Sequence, residues 1–167
     1  MEKKYGMGKA YLVPLNSDSE VRGVVHFIPE GRKKMRVEAH VKGLKPNSLQ
    51  GFHVHEFGDC SDAEGMKAGG HFDPTGHKPH GGPHSAKRHL GDLGNLESDA
   101  LGQAAYRQVF SGMNLFGWRG VLGRSVVVHI DPDDLESQPA GASGDRVACA
   151  VIGYVRQQEK EKDTLDE

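Results

Sequence analysis

Ten histidines are spread unevenly through 167 residues, and six of them fall between His53 and His84. Imidazole is the commonest metal-binding side chain, so spacing decides what these rings can do. In GFHVHEFGDC (Gly51–Cys60), His53 and His55 flank a single valine. On a strand, residues i and i+2 share a face, with Cα atoms about 7 Å apart, and both rings can converge on one ion. Taken alone, the pair also reads as two polar residues on the solvent face of a half-buried strand. His129 ends the β-rich run GRSVVVHI, and in a barrel it can lie across from the first two. Those three rings and a fourth histidine make an all-imidazole set, and four nitrogens in a tetragonal array suit Cu²⁺. Between them, AGGHFDPTGHKPHGGPHSAKRHLGDLGN (Ala68–Asn95) holds His71, His77, His80, His84 and His89, followed by Asp92. A compact Leu-Gly turn separates His89 from Asp92 and can fold both onto one ion. Three imidazoles with one carboxylate form a closed tetrahedral set of the kind Zn²⁺ accepts.

Strands must position these groups. Short alternating or β-branched runs recur: KAYLVPL, VRGVVHFI, KMRVEAHVKGL, LQGFHVHEF, LGQAAYRQVF, GRSVVVHI and DRVACAVIGYVR, with a weaker one at Asp92–Leu96. That makes about eight strands, at the spacing of a sandwich or barrel. Helical periodicity is not sustained anywhere. Glycine occurs 23 times, about twice the ordinary ~7%, as many tight turns require. Two connections are long, Glu56–Leu90 and Asp131–Asp145, and loops beyond ~12–15 residues usually carry function. The first has too little apolar content to fold on its own, and a bound ion is the ordering force it needs.

Composition narrows the classes. One domain accounts for the length. The net charge of -2 offers no basic stripe for nucleic acid, and no apolar run approaches the ~20 residues of a membrane span. The N-terminus lacks the apolar segment of a signal peptide, which makes the cytoplasm the default location. A periplasmic or extracellular origin with a removed signal is the alternative.

The motifs GFHVHEFGD, AGGHF, HGGP, RHLGDLGN, GRSVVVH and GDRVACAVIG occur together in this order, and the chain resembles the copper/zinc superoxide dismutase family from Gly8 to about Arg156. The resemblance implies an all-β, eight-stranded Greek-key β-barrel with two long functional loops. It sets a flexible N-terminus at 1–7, the domain at 8–156 and a charged, disordered tail at 157–167. It implies one copper per chain on His53, His55, His71 and His129, and one zinc per chain on His71, His80, His89 and Asp92, with the His71 ring shared. Asp133 is implied as the carboxylate joining His53 to His80, and Arg146 as the cation that attracts the substrate, superoxide. Cys60 and Cys149, the only cysteines, are implied to be bridged. A homodimer is implied as well, with Leu122, Gly123 and Ile152 at positions that can join its contact; the alternative for all three is ordinary barrel packing. The rival readings are a non-enzymatic metal-handling module on the same barrel and a zinc-stabilised binding module.

Three departures from the family pattern bear on function. The segment from His71 to HGGP is one residue longer than usual, leaving His77 and His84 as spare, solvated imidazoles beside His80. The loop between His55 and Cys60 is short, in a region that contributes to the dimer contact in many relatives. The loop after His129, IDPDDLESQPAGASGD, is short, acidic and free of lysine, like those of bacterial members. Substrate steering then falls to Arg146, with help expected from Lys67, Lys78, Lys87 and Arg88. His26 and His40, outside every motif, are ordinary strand residues.

Overall fold

The computed structural model describes residues 6–156. Alternation of apolar and polar residues builds its strands. In β3 (Lys34–Lys42), Met35, Val37, Ala39 and Val41 are buried and the residues between them face outward, the period-2 pattern of a strand with one wet face. The same logic shapes β1 (Met7–Pro14), β2 (Arg22–Glu30) and β6 (Ala104–Ser111). The remaining strands are β4 (Leu49–His55), β5 (Asp92–Glu97), β7 (Ser125–His129), β8 (Arg146–Val151) and the short β9 (Gly153–Val155). The eight expected strands are present, and β9 adds a three-residue pairing with β1. A single 3-10 turn, Met66–Ala68, is the only helical element among the described residues. Because β1 begins at Met7, that residue belongs to the barrel. The expectations for 1–5 and for the tail at 157–167 lie outside the described residues.

All strand pairs are antiparallel, in the order β5-β4-β7-β8-β1-β2-β3-β6. The two end strands face each other across a seam without ladder hydrogen bonds. Side chains close it. The Tyr106 hydroxyl on β6 donates to the Leu93 carbonyl on β5 at 2.7 Å, and the Tyr106 ring meets Phe52 edge-on. Phe27, Phe52, Phe110, Leu12, Met35, Leu93 and Leu96 fill the interior.

β4 and β7 hold the chemistry. Phe52 and Val54 point into the core, so His53 and His55 point the other way. His53 pairs with Val127 and His55 with Ser125; cross-strand partners share a face, and His129, two residues beyond Val127, shares it too. That outer face is not wet. His53 and His55 are both 0% exposed, because the 56–91 connection folds back over them. Its cover is fastened by Glu56 N–H to Gly70 O, Phe57 N–H to Ala68 O and Phe72 N–H to Val54 O. Cys60–Cys149 adds a covalent tie to β8, with Cα atoms 5.8 Å apart and a sequence separation of 89.

Candidate metal centre

Two β-bulges aim the first group of rings. The β4–β5 register shifts between Gly51 and His53, which sets His53 opposite Asp92. The β7–β8 register shifts between Val128 and His129, which sets His129 opposite Arg146. Bulges next to active sites re-aim side chains in this way. His71 arrives from the loop through an isolated bridge to His55. The result is one cluster of His53, His55, His71 and His129 and another of His71, His80, His89 and Asp92; within each, the candidate ligand atoms lie within 4.8 Å of one another.

The outer hydrogen bonds of each ring set its tautomer. His55 Nδ1–H donates to Gly69 O at 2.9 Å, and His129 Nδ1–H donates to Gly144 O at 3.0 Å. Both Nε2 atoms are then lone pairs, yet they stand 3.3 Å apart. His53 Nε2–H donates to Asp133 Oδ2 at 2.7 Å, which leaves its buried Nδ1 without a partner; His71 Nε2 is orphaned in the same way. Four imidazole lone pairs therefore share one buried space. A cation with affinity for nitrogen satisfies all four, and no hydrogen-bonding scheme does. Burial and neighbouring rings discourage protonation: His53 is lowered to about 4, His129 to about 3, and His55 well below its usual value.

The second group is anionic. Asp92 Oδ1 meets three imidazole nitrogens, His71 Nδ1 at 2.7 Å, His80 Nδ1 at 3.1 Å and His89 Nδ1 at 3.2 Å. Asp92 Oδ2 accepts from the N–H groups of Gly81 and His89. Burial resists the Asp92 charge, but its three histidines outweigh burial and hold the carboxyl far below its usual range. His80 Nε2–H donates to Asp133 Oδ1 at 2.8 Å, and His80 Nδ1 faces Asp92 Oδ1. Burial opposes charge on His80, yet Asp133 and Asp92 raise it to about 9. The cradle favours positive charge, as a proton on His80 or as a bound metal ion, and three nitrogens with one oxygen match the donor set of Zn²⁺. The two groups differ in softness and geometry as copper and zinc sites do.

His71 belongs to both sets, with Nδ1 toward Asp92 and Nε2 toward the four-imidazole space. Asp133 joins His53 to His80 as expected. Beside it stands Gly141 at φ 74°, where a Cβ would lie 2.0 Å from Asp133 Oδ1; only glycine lets the loop pass so close. Arg146 donates from Nη1 to Gly65 O at 2.7 Å and lines the cleft that leads to His129.

The remaining residues take different places. His84 is exposed and joins neither cluster, as expected; its Nε2 also pairs with Gln108 Oε1 at 2.9 Å and its ring stacks on Phe110, tying the loop to β6. His77 is exposed and bonds only Thr75 O. Arg88 serves structure, with Nη1 donating to the carbonyls of His89, Leu90 and Asp92 and the guanidinium over Phe110. Lys78 lines a separate cleft with Arg88, and neither Lys67 nor Lys87 lines the one at His129. Ile152 is 1% exposed and presents no surface to a partner. The sequence reading passed over Glu64 and Gln138, which line the cleft beside Arg146. Neither carries a motif; only the folding of two loops onto one another brings them there.

Comparison with known proteins follows the same lines. The family described as copper/zinc superoxide dismutase (SODC) matches residues 21–152. A Cu-Zn superoxide dismutase of Paramecium bursaria Chlorella virus 1 is 44% identical over 146 residues, 84% of this chain and 76% of its own length. Cu-Zn superoxide dismutase 2 of Brassica juncea is 44% identical over 153 residues, covering 88% and 98%. Among solved structures, the clock protein EA4 superposes with a TM-score of 0.80 at 35% identity, covering 93% of this chain and 98% of that one.

Proposed function

The chain belongs to the copper/zinc superoxide dismutase family, and from that premise we propose how its own residues perform the activity. The protein disproportionates superoxide to dioxygen and hydrogen peroxide. We assign copper to His53, His55, His71 and His129, and zinc to His71, His80, His89 and Asp92, one ion of each per chain. The observation that carries this assignment is the double role of His71, whose two nitrogens face two different donor sets.

When bound, copper supplies the one-electron chemistry that oxidises one superoxide and reduces the next, and zinc supplies a fixed charge beside it. The remaining work belongs to the chain. His71 Nε2 has no protein partner, so it is the atom that can take up a proton and return it to the departing peroxide, while Asp92 keeps the ring in place at Nδ1. Asp133 fixes the orientation of His53 and His80 together. Arg146 puts positive charge where the anion must bind. Among the described residues it is the one basic side chain other than His129 in a cleft also lined by Glu64 and Asp145, so two carboxylates oppose it.

Metal-loaded protein tests the assignment by elemental analysis alongside a superoxide assay. One copper and one zinc per active chain is the expected result. Saturation with a single metal overturns the bridged assignment.

We further propose a homodimer through the exposed apolar side chains Phe57 and Val151, which flank the contact of Gly58 with Gly123. A monomer in sedimentation equilibrium at micromolar concentration would reject it. No helix among the described residues is long and apolar enough to cross a membrane. For location, the disulfide favours an oxidising compartment over the cytoplasmic default, and fractionation of the source cells decides it.

A further inference from the structure

His80 sits in a stretch, 74–83, without a strand partner, and none of the main-chain hydrogen bonds among the described residues uses its N–H or C=O. Both groups are nonetheless satisfied, by one side chain 58 residues away. The His80 N–H donates to Gln138 Oε1 at 2.8 Å, and Gln138 Nε2 donates to His80 O at 2.9 Å. Gln138 Nε2 also donates to Glu136 O at 3.0 Å, which orients the amide plane. A carboxamide has the shape of a peptide group. The pair of bonds therefore reproduces one rung of an antiparallel ladder, in which two residues exchange both N–H···O contacts. Asp133, on the same loop, holds the His80 ring at Nε2 but says nothing about where the main chain sits. Ring and backbone are thus gripped separately.

We infer that Gln138 is a positioning residue for zinc: its amide stands in for a missing strand and sets the place from which His80 offers Nδ1. The inference rests on the reading of His80 as a zinc ligand. It has a consequence for the copper side. Gln138, Pro139, Ala140 and Ala142 line the cleft at His129, so the side chain that steadies the zinc loop is also part of the wall of the substrate channel. Zinc occupancy and channel shape are coupled through this one residue. The short loop makes the contact possible, since only four residues separate Asp133 from Gln138 along the chain.

The test is zinc binding by the full, metal-free chain in competition with a chromophoric chelator. Gln138→Met keeps the size of the side chain and removes every hydrogen bond of the amide. Partners that orient a metal ligand are typically worth about 10–100-fold in affinity, and zinc binding by Gln138→Met should weaken by about tenfold or more. Cobalt(II) in the same site should show altered visible absorption, a change that loss of fold stability alone does not produce. Glu136→Ala is the control, because Glu136 takes part in these contacts through its backbone alone; its zinc affinity should match the wild type. Wild-type zinc affinity and an unchanged cobalt spectrum in Gln138→Met overturn the inference and leave the zinc assignment standing. Absence of tight zinc binding by the wild-type chain removes the assignment itself.

Discussion

His129 shows how much depends on single side chains. Its Nδ1–H is committed to Gly144 O, and its Nε2 faces the other copper-side nitrogens. His129→Ala should abolish dismutation and leave the melting temperature of the metal-free protein near that of the wild type, since the ring contributes no apolar core; near-native turnover would defeat the copper assignment. Glu64 makes the opposite case. It faces the same cleft as Arg146 and repels an incoming anion. Field effects on steering multiply on-rates, so Glu64→Gln should raise kcat/KM by roughly two- to threefold at low salt, and stopped-flow decay of superoxide reads it directly. Arg146→Ala should lower the rate and flatten or invert its salt dependence between 0.01 and 0.1 M, where the Debye length shrinks from about 30 to 10 Å. Unchanged salt dependence in that variant would mean that steering comes from elsewhere.

Elements and loops respond to different changes. The β5–β6 seam relies on the Tyr106 hydroxyl, a group whose acidity burial suppresses strongly. Tyr106→Phe leaves the Leu93 carbonyl without its donor, and urea denaturation should report a loss of about 1–2 kcal/mol. The 56–91 connection is held by main-chain pairing, the disulfide, Asp92 and the side-chain contacts of His80 and His84. In the chain-entropy account, a bridge spanning this much chain stabilises by about 4–5 kcal/mol, so paired serine substitutions at Cys60 and Cys149 should produce the largest drop in melting temperature of any change outside the core. Asp92→Ala acts on the same loop by another route. It deprives His71, His80 and His89 of their shared oxygen, and zinc binding should fail before activity does.

The whole molecule couples folding to protons and metals. In the metal-free state, burial lowers His53 to about 4 and His129 to about 3 from an ordinary 6.5. The unfolded chain then binds more protons than the folded one, so stability falls as pH drops from 6.5 through those values. Asp133 and Asp92, held far below the usual carboxyl range, extend the loss further into acid. His80 works in the other direction: raised to about 9, it adds stability that is complete below 6.5 and lost as pH climbs through 9. Melting of the metal-free protein from pH 4 to 9 should therefore peak near neutrality. Bound metal adds stability by mass action, and a chelator should shift the melting point downward at every pH while reducing the difference between pH values.

Much of this protein is legible along the chain because its determinants are local or periodic. Alternation in KMRVEAHVK marks β3, and H-x-H on β4 guarantees two rings on one face whatever the fold around them. The residues proposed as ligands are marked by motifs, HVH, GGHF, HGGP, RHLGD and VVVH, and the fold gathers those residues into two clusters that could each hold a metal ion. Other features depend on distance in space. Alternation predicts a wet outer face for β4, and only the folded loop makes His53 and His55 dry, which is what gives their lone pairs value. Arg88 reads as a free cation until its three carbonyl partners appear, and only the closed barrel decides that Ile152 packs inside rather than at a contact. Gln138 carries no signal in sequence, since an amide can bond almost any backbone; its role exists because two loops, 58 residues apart, meet at His80. Side-chain type and period are properties of a segment, whereas burial, pairing and charge balance are properties of everything packed around it.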